Sequence, residues 1–250
     1  MIRGIKVVFF DVYKTLARFD PPVESLQVET CEKFGISVSV EGIACGYRLA
    51  DDYMAKEKSA YPIFKRDQNG RDKFFSQYER LVLYGAGVDV SLRKALKIFK
   101  ETQRTTLRLV PFTDVKIGLG MLLAKRVSLG VITNIDALIG LGSLGDTGDI
   151  CSEMGLSGYF DVVVTSQEAG NAKPHAGIFR FALDRMGLEP EQAIHVGDQY
   201  YSDVVGARAV GMFPVLIDRD NDHEGFQECP RIRSIVELCS LVGGEGSLEP

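Results

Sequence analysis

The chain is poor in the residues that mark secretion, zinc binding or nucleic-acid contact. Only five of its 250 residues are cysteine: Cys31, Cys45, Cys151, Cys229 and Cys239. They are odd in number, scattered and never spaced as CxxC, which fits reduced, buried thiols in a cytosolic protein better than a disulfide framework. The three histidines, His175, His195 and His223, lack zinc-ligand spacing. No Lys/Arg-rich run occurs, and 34 acidic residues outnumber 29 basic ones, for a formal net charge of -5. That balance argues against a nucleic-acid partner and for small-molecule binding. No apolar stretch is long enough to span a bilayer. The opening "MIRGIKVVFF" has too short an apolar run, and no small-residue cleavage site, for a signal peptide. The expectation is a cytoplasmic protein with no membrane partner, and no motif specifies an oligomeric state. The glycines of "GLGSLG" match neither a P-loop nor a dinucleotide turn.

What the chain does have is a set of short apolar runs rich in Val and Ile. "IKVVFF" precedes Asp11, "LGVIT" ends at Thr133, "DVVVT" at Thr165 and "AIHVG" at Gly197, and "FPVLI" precedes Asp218. With little polar alternation, these read as parallel strands covered on both faces. Helical patterns lie between them. "DVKIGLGMLLAKRVSLG" puts Ile117, Met121 and Ala124 on one face. "GIFRFALDRMG" stacks Ile178, Phe181, Ala182 and Met186 and stops at Gly187, and "SDVVGARAVG" has the small residues of a helix lying close on a sheet. The alternation predicts an α/β fold: a doubly wound parallel sheet, Rossmann-like, with right-handed crossovers.

One segment breaks the rhythm. After "DPP" the chain reads as helices only, in "VESLQVETCEKFG", "VEGIACGYRLADDYMAKEKS", "GRDKFFSQYERLVLYGAG" and "DVSLRKALKIFKETQ". About ninety residues of helix exceed an ordinary connection. The expected organisation is therefore an α/β core from residues 1–16 and 107–250, with an inserted all-helical cap over 17–106. The Gly-rich "GLGSLGDTGD" after the second core strand is expected to be a mobile loop.

Ligands of open parallel sheets bind beyond the carboxyl ends of the strands. Asp11 and Thr15 follow the first strand, and Thr133 and Asn134 end the second. Lys173 precedes Pro174 and a helix, while Asp198 and Asp203 follow "HVG". Each alone has an ordinary reading, as a turn residue, a helix cap or a solvated lysine. Together, in this order, they place three carboxylates, a lysine and two hydroxyls on one rim.

These residues resemble the motifs of the haloacid dehalogenase superfamily, in particular its members with a helical cap inserted after the first motif. "FFDVYKTL" resembles the first motif, "GVITN" the second, Lys173-Pro174 the third and "HVGDQYYSDVVGARAVGM" the fourth. Two positions depart from the pattern: Tyr13 replaces the usual second Asp, and Lys14 the usual Gly. The resemblance implies a catalytic Asp11 that attacks phosphorus to give an aspartyl-phosphate, which water then hydrolyses. It implies Mg²⁺ held by Asp11, the backbone carbonyl of Tyr13 and Asp198, with Asp203 in direct or indirect contact. Thr133 and Asn134 would hydrogen-bond the phosphoryl oxygens of a small phosphorylated substrate. Lys173 would supply fixed positive charge, and Thr15 would brace the loop at the substrate.

Tyr13 raises a rival. Its phenol, with an ordinary pKa of ~10, is poorly matched to replace a proton-shuttling carboxylate. In 2-haloacid dehalogenases of the same superfamily this position is often aromatic, and the departing halide needs neither proton nor metal. Electrostatics weighs against that reading. Extra carboxylates beside a metal-free nucleophile would raise its pKa and repel a carboxylate substrate, whereas three converging carboxylates suit a divalent cation. A Mg²⁺-dependent phosphatase is the preferred expectation. A metal-independent dehalogenase and a catalytically weak binding module are the alternatives.

Overall fold

The computed structural model describes residues 2–61, 63–134 and 150–243. These form two compact units: one from the described residues of 1–18 and from 109 onward, the other from those of 19–108. The Gly-rich segment expected to be mobile, 140–149, lies outside the described residues.

The first unit is built on a six-stranded sheet. Its strands are β1 (Val7–Phe10), β4 (Ser128–Thr133), β5 (Val162–Thr165), β6 (Ala193–Gly197), β7 (Phe213–Ile217) and β8 (Arg231–Ile232), in the order β5-β4-β1-β6-β7-β8. Every pairing is parallel; Phe10, for example, lies between Val131 and Val196. All four β1 side chains are buried, as the unbroken run "VVFF" requires of a central strand with both faces covered. On one face Val7, Phe9, Ile132 and Val164 pack with Ile178, Phe179 and Ala182 of α8 (Ala176–Met186). Gly187 ends that helix in the left-handed conformation, φ 62°. The order reverses beside β1: the chain builds β4 and β5 on one side of it and β6, β7 and β8 on the other. A crevice opens at such a reversal, beyond the strands' carboxyl ends.

Three features differ from the sequence expectation. Ile117, Met121 and Ala124 do share a face of α5 (Val115–Ala124), but it is the exposed one, with Ile117 62 % accessible. Val115, Gly118, Leu119 and Leu122 are buried instead. A helix apolar nearly all round offers two candidate faces, and Gly118 selects one, because a Cβ there would press on Ile235 of α10 (Ile235–Leu241). Second, β2 (Ala17–Asp20) and β3 (Arg108–Pro111) pair as a two-stranded sheet, so the segment expected to be all-helical opens with a strand. Ala17 and Phe19 are buried while Arg18 and Asp20 are exposed, a four-residue alternation too short to stand out beside "DPP". Third, the two-residue β8 carries no apolar run at all.

The second unit contains α1 (Val23–Lys33), α2 (Val40–Ala60), α3 (Gln68–Gly85) and α4 (Leu92–Thr102). Ser39, Asp67 and Ser91 cap the last three, each accepting a backbone N–H three residues on. Ile43, Phe74, Val82 and Ile98 anchor its core. Helices α2 and α3 cross where Gly46 and Gly85 meet, and a Cβ on Gly46 would run into the Val82 carbonyl.

Candidate active site

The loop after β1 carries Asp11, whose backbone N–H donates to Val196 O at 2.9 Å. Its side chain is largely buried, 12 % exposed. The loop then folds on itself: the N–H groups of Thr15, Leu16 and Ala17 all donate to Val12 O, and that of Lys14 donates to Ala17 O at 2.7 Å. Arg219, in the segment after β7, holds this loop from the outside. Its Nε and Nη2 donate to Thr15 O at 3.1 and 2.7 Å, and its guanidinium pairs with both carboxylate oxygens of Asp114. The Thr15 hydroxyl is buried and has no hydrogen-bond partner among the described residues.

Lys173 lies between α7 (Ser166–Ala169) and α8, and is 2 % exposed. Its Nζ donates to Asp11 Oδ1 and to Asp203 Oδ1, both at 2.6 Å. Asn134, just past β4, accepts the Lys173 N–H at 2.9 Å on Oδ1 and donates through Nδ2 to Lys173 O at 3.0 Å. The amide expected to face a phosphoryl group is thus taken up by the backbone of Lys173. Thr133 is buried at the end of β4.

Asp198 follows β6, and Asp203 lies in the wide helical turn Tyr200–Val205 that precedes α9 (Gly206–Val210). Asp203 Oδ2 accepts the Gln199 N–H at 3.1 Å, and Oδ1 receives His195 Nε2 at 2.9 Å as well as Lys173. Strand alternation puts His195 and Gly197 on the same face of β6. Gly197 has to be glycine, because a Cβ there would overlap the Asp203 carboxyl group. His195, which reads as a core residue from sequence, therefore belongs to the polar cluster. Its two-residue spacing from Gly197 is the signal that could have placed it there. Arg219 has no such signal. His175 caps α8, accepting Gly177 N–H on Nδ1 at 3.0 Å.

The charges settle unevenly. Burial pulls the Lys173 pKa down, but the charges of Asp11 and Asp203 outweigh it and leave the pKa raised. Burial would lift Asp203, yet the Lys173 charge and the His195 hydrogen bond hold it below the usual carboxylate range. Asp11 goes the other way, to about 6, lifted by burial and by the Asp203 charge against the pull of Lys173. Asp198 rises well above the ordinary value, through burial first and then the charges of Asp11 and Asp203. Burial lowers the pKa of His195 and the Lys173 charge adds to this, while the hydrogen bond to Asp203 opposes it. Because Asp203 is ionised, the shared proton sits on His195 Nε2, and its buried Nδ1 has no partner among the described residues.

Asp11, Asp198 and Asp203 each offer a carboxylate oxygen within 4.8 Å of the others. Among the described residues Asp198 makes no hydrogen bond, so its carboxylate is the under-neutralised member of the trio. Hard oxygen donors in this state fit Mg²⁺.

A family profile of haloacid dehalogenase-like hydrolases matches residues 5–211. The chain belongs to that family. It is a hydrolase. It is 55 % identical over 62 residues to haloacid dehalogenase-like hydrolase domain-containing protein 3 of Xenopus laevis, a match that spans a quarter of each chain. It is 27 % identical over 219 residues to glyceraldehyde 3-phosphate phosphatase of Methanothermobacter thermautotrophicus, covering 86 % of this chain and 87 % of that one. Against ribulose-1,5-bisphosphate 5-phosphatase of Halopiger xanaduensis it is 33 % identical over 146 residues, covering 54 % and 57 %. The crystal structure of a phosphatase of the family from Thermococcus onnurineus superposes with a TM-score of 0.56 at 24 % identity, over 96 % of this chain and 99 % of that one. No described helix is long and apolar enough to cross a membrane.

Proposed function

We propose that this hydrolase is a Mg²⁺-dependent phosphatase of small phosphorylated metabolites, working through an aspartyl-phosphate on Asp11. The observation that carries the reading is the carboxylate trio, with Asp198 making no hydrogen bond among the described residues, set against a nucleophile candidate whose Oδ1 is fixed by a buried lysine. The similarity to two named phosphatases supports it. The helical unit is the cap implied by an insertion after the first motif.

Lys173 holds Asp11 Oδ1 and leaves Oδ2 to attack phosphorus as the bond from phosphorus to the leaving oxygen breaks. Asp11, the Tyr13 carbonyl and Asp198 would hold Mg²⁺, which when bound supplies the positive charge that lets a carboxylate approach a phosphate dianion. Thr133, at the end of β4, would donate to a phosphoryl oxygen. Asp203, engaged by Lys173, His195 and the Gln199 N–H, anchors Lys173. Water then attacks phosphorus, the bond from phosphorus to the Asp11 oxygen breaks, and inorganic phosphate leaves carrying the proton of the water while Asp11 is regenerated as a carboxylate. Tyr13 is a poor proton donor for an alkoxide, so the favoured substrates are acyl or aryl phosphates, whose leaving groups depart as anions.

The test is a panel of acyl, aryl and alkyl phosphates and 2-haloacids, assayed with Mg²⁺ and with EDTA. Phosphate release that EDTA and Asp11→Asn each abolish is the expected result. Halide release unaffected by EDTA, with no phosphate released, would replace this reading by the dehalogenase one.

A further inference from the structure

Four buried side chains form one hydrogen-bonded line that ends on Asp11. His195 Nε2 bonds Asp203 Oδ1 at 2.9 Å, and Lys173 Nζ bonds Asp203 Oδ1 and Asp11 Oδ1, each at 2.6 Å. Three of the four stand on connections: Asp11 in the loop after β1, Lys173 between α7 and α8, and Asp203 in the wide turn Tyr200–Val205. His195 is carried by a strand. It lies inside β6, with Phe9 of β1 on one side and Pro214 of β7 on the other. Pairing along both edges makes that backbone the firmest reference point in the line. The ring is fixed as well: Phe179 meets it edge-on, with centroids 5.1 Å apart and planes at 87°.

The histidine carries a cost at this position. Its Nδ1 is buried, and no hydrogen-bond partner reaches it among the described residues. An apolar side chain would avoid that orphaned atom and still pack against Phe179, so stability alone does not call for histidine here. What histidine supplies is the Nε2–H aimed at Asp203. Without it Asp203 keeps two tethers, the Gln199 N–H on Oδ2 and the Lys173 ammonium on Oδ1. Lys173 is a point charge on a flexible stem. A carboxylate free to turn draws the ammonium with it and away from Asp11.

We propose that His195 is a positioning residue for the reaction at Asp11: its Nε2–H holds Asp203 in the orientation that directs the Lys173 ammonium onto Asp11 Oδ1. The inference rests on the reading of Asp11 as the nucleophile of a phosphatase. His195 acts through two other side chains and touches no substrate. Removing its donor therefore damages turnover and spares folding.

The experiment compares wild type, H195F, H195L, H195Q and D11N, with nitrophenyl phosphate as the probe at saturating Mg²⁺ and urea unfolding in parallel. H195F and H195L remove the donor and keep an apolar core, and either carries the test should the other fail to fold. H195Q returns an N–H at comparable reach. The expected result is kcat lower by about tenfold to a hundredfold in H195F and H195L, with KM within about threefold of wild type. Their urea midpoints should be no lower than that of wild type, and H195Q should recover most of kcat. The nitrogen NMR spectrum of the wild-type ring should show Nε2 protonated and Nδ1 bare. Wild-type kcat in the apolar variants, an equal loss in H195Q, a urea midpoint lowered in both apolar variants, or a proton on Nδ1 overturns the proposal. In each of these cases, phosphate release by wild type that D11N abolishes leaves the phosphatase reading standing. If wild type releases no phosphate, both fall.

Discussion

The side-chain amide of Asn134 grips the backbone of Lys173 at both ends, accepting its N–H at 2.9 Å and donating to its carbonyl at 3.0 Å. The ends of two different strand connections are thereby locked together, and the Lys173 ammonium is aimed between Asp11 and Asp203. Asn134→Ala removes both bonds and leaves part-buried backbone groups unmatched. It should cost about 1–3 kcal/mol of stability in urea unfolding. Because a small displacement of a catalytic group is expensive, kcat should fall by about a hundredfold, with KM changed far less.

Tyr13 is the residue whose replacement should widen the substrate range. Tyr13→Asp places a carboxyl group where a departing alkoxide needs a proton. Hydrolysis of alkyl phosphates should rise by about a hundredfold or more, with little change on aryl phosphates. Steady-state rates on the two classes decide it: equal rates before and after the change would mean that leaving-group protonation is not what limits turnover.

Gly197→Ala should disable the site from beneath. The added methyl group overlaps the Asp203 carboxyl group, which has to shift and so weakens its bonds to Lys173 and His195. The expected cost is about 1–3 kcal/mol in the urea midpoint, together with loss of hydrolysis. Wild-type turnover in this variant would show that Asp203 need not sit where it does.

Glu79 gives the helical unit a pH dependence of its own. It is 1 % exposed, and its nearest partner is Gln27, whose Nε2 donates to Oε1 at 2.5 Å. Burial lifts its pKa from 4.5 to about 8, and the Gln27 bond only partly opposes this. The folded chain therefore keeps a proton that the unfolded chain releases. The stability from this group is fully present below 4.5 and is lost as pH rises towards about 8. Glu79→Gln should flatten that decline. In urea unfolding at about pH 9 the variant should be the more stable protein, and at about pH 4 the two should be close. Parallel curves for the two proteins would refute the assignment.

The order of elements in the core was legible because each strand writes its own environment into its residues. "VVFF", "GVIT" and "AIHVG" are covered on both faces, and their composition says so locally. The strand-end polar residues were legible for a related reason: a carboxylate or lysine closing a buried strand stands where the crevice opens. What each side chain bonds to was not. Asn134 at a strand end can face a ligand or a neighbouring connection with equal local propriety, and only the second connection, 39 residues on, decides between them. His195 looks like any residue of a buried strand until Asp203 folds over Gly197.

The sequence by itself determined an α/β sheet with a helical insertion and a rim of three aspartates and a lysine, because period, run length and punctuation are properties of neighbouring residues. Only the tertiary structure decided which face of α5 is buried, that Arg219 secures the Thr15 carbonyl, and that Lys173 joins Asp11 to Asp203. The reason is distance along the chain. Asp11 and Lys173 are 162 residues apart, and their 2.6 Å bond exists only after the crossovers have set β4 and β6 on either side of β1.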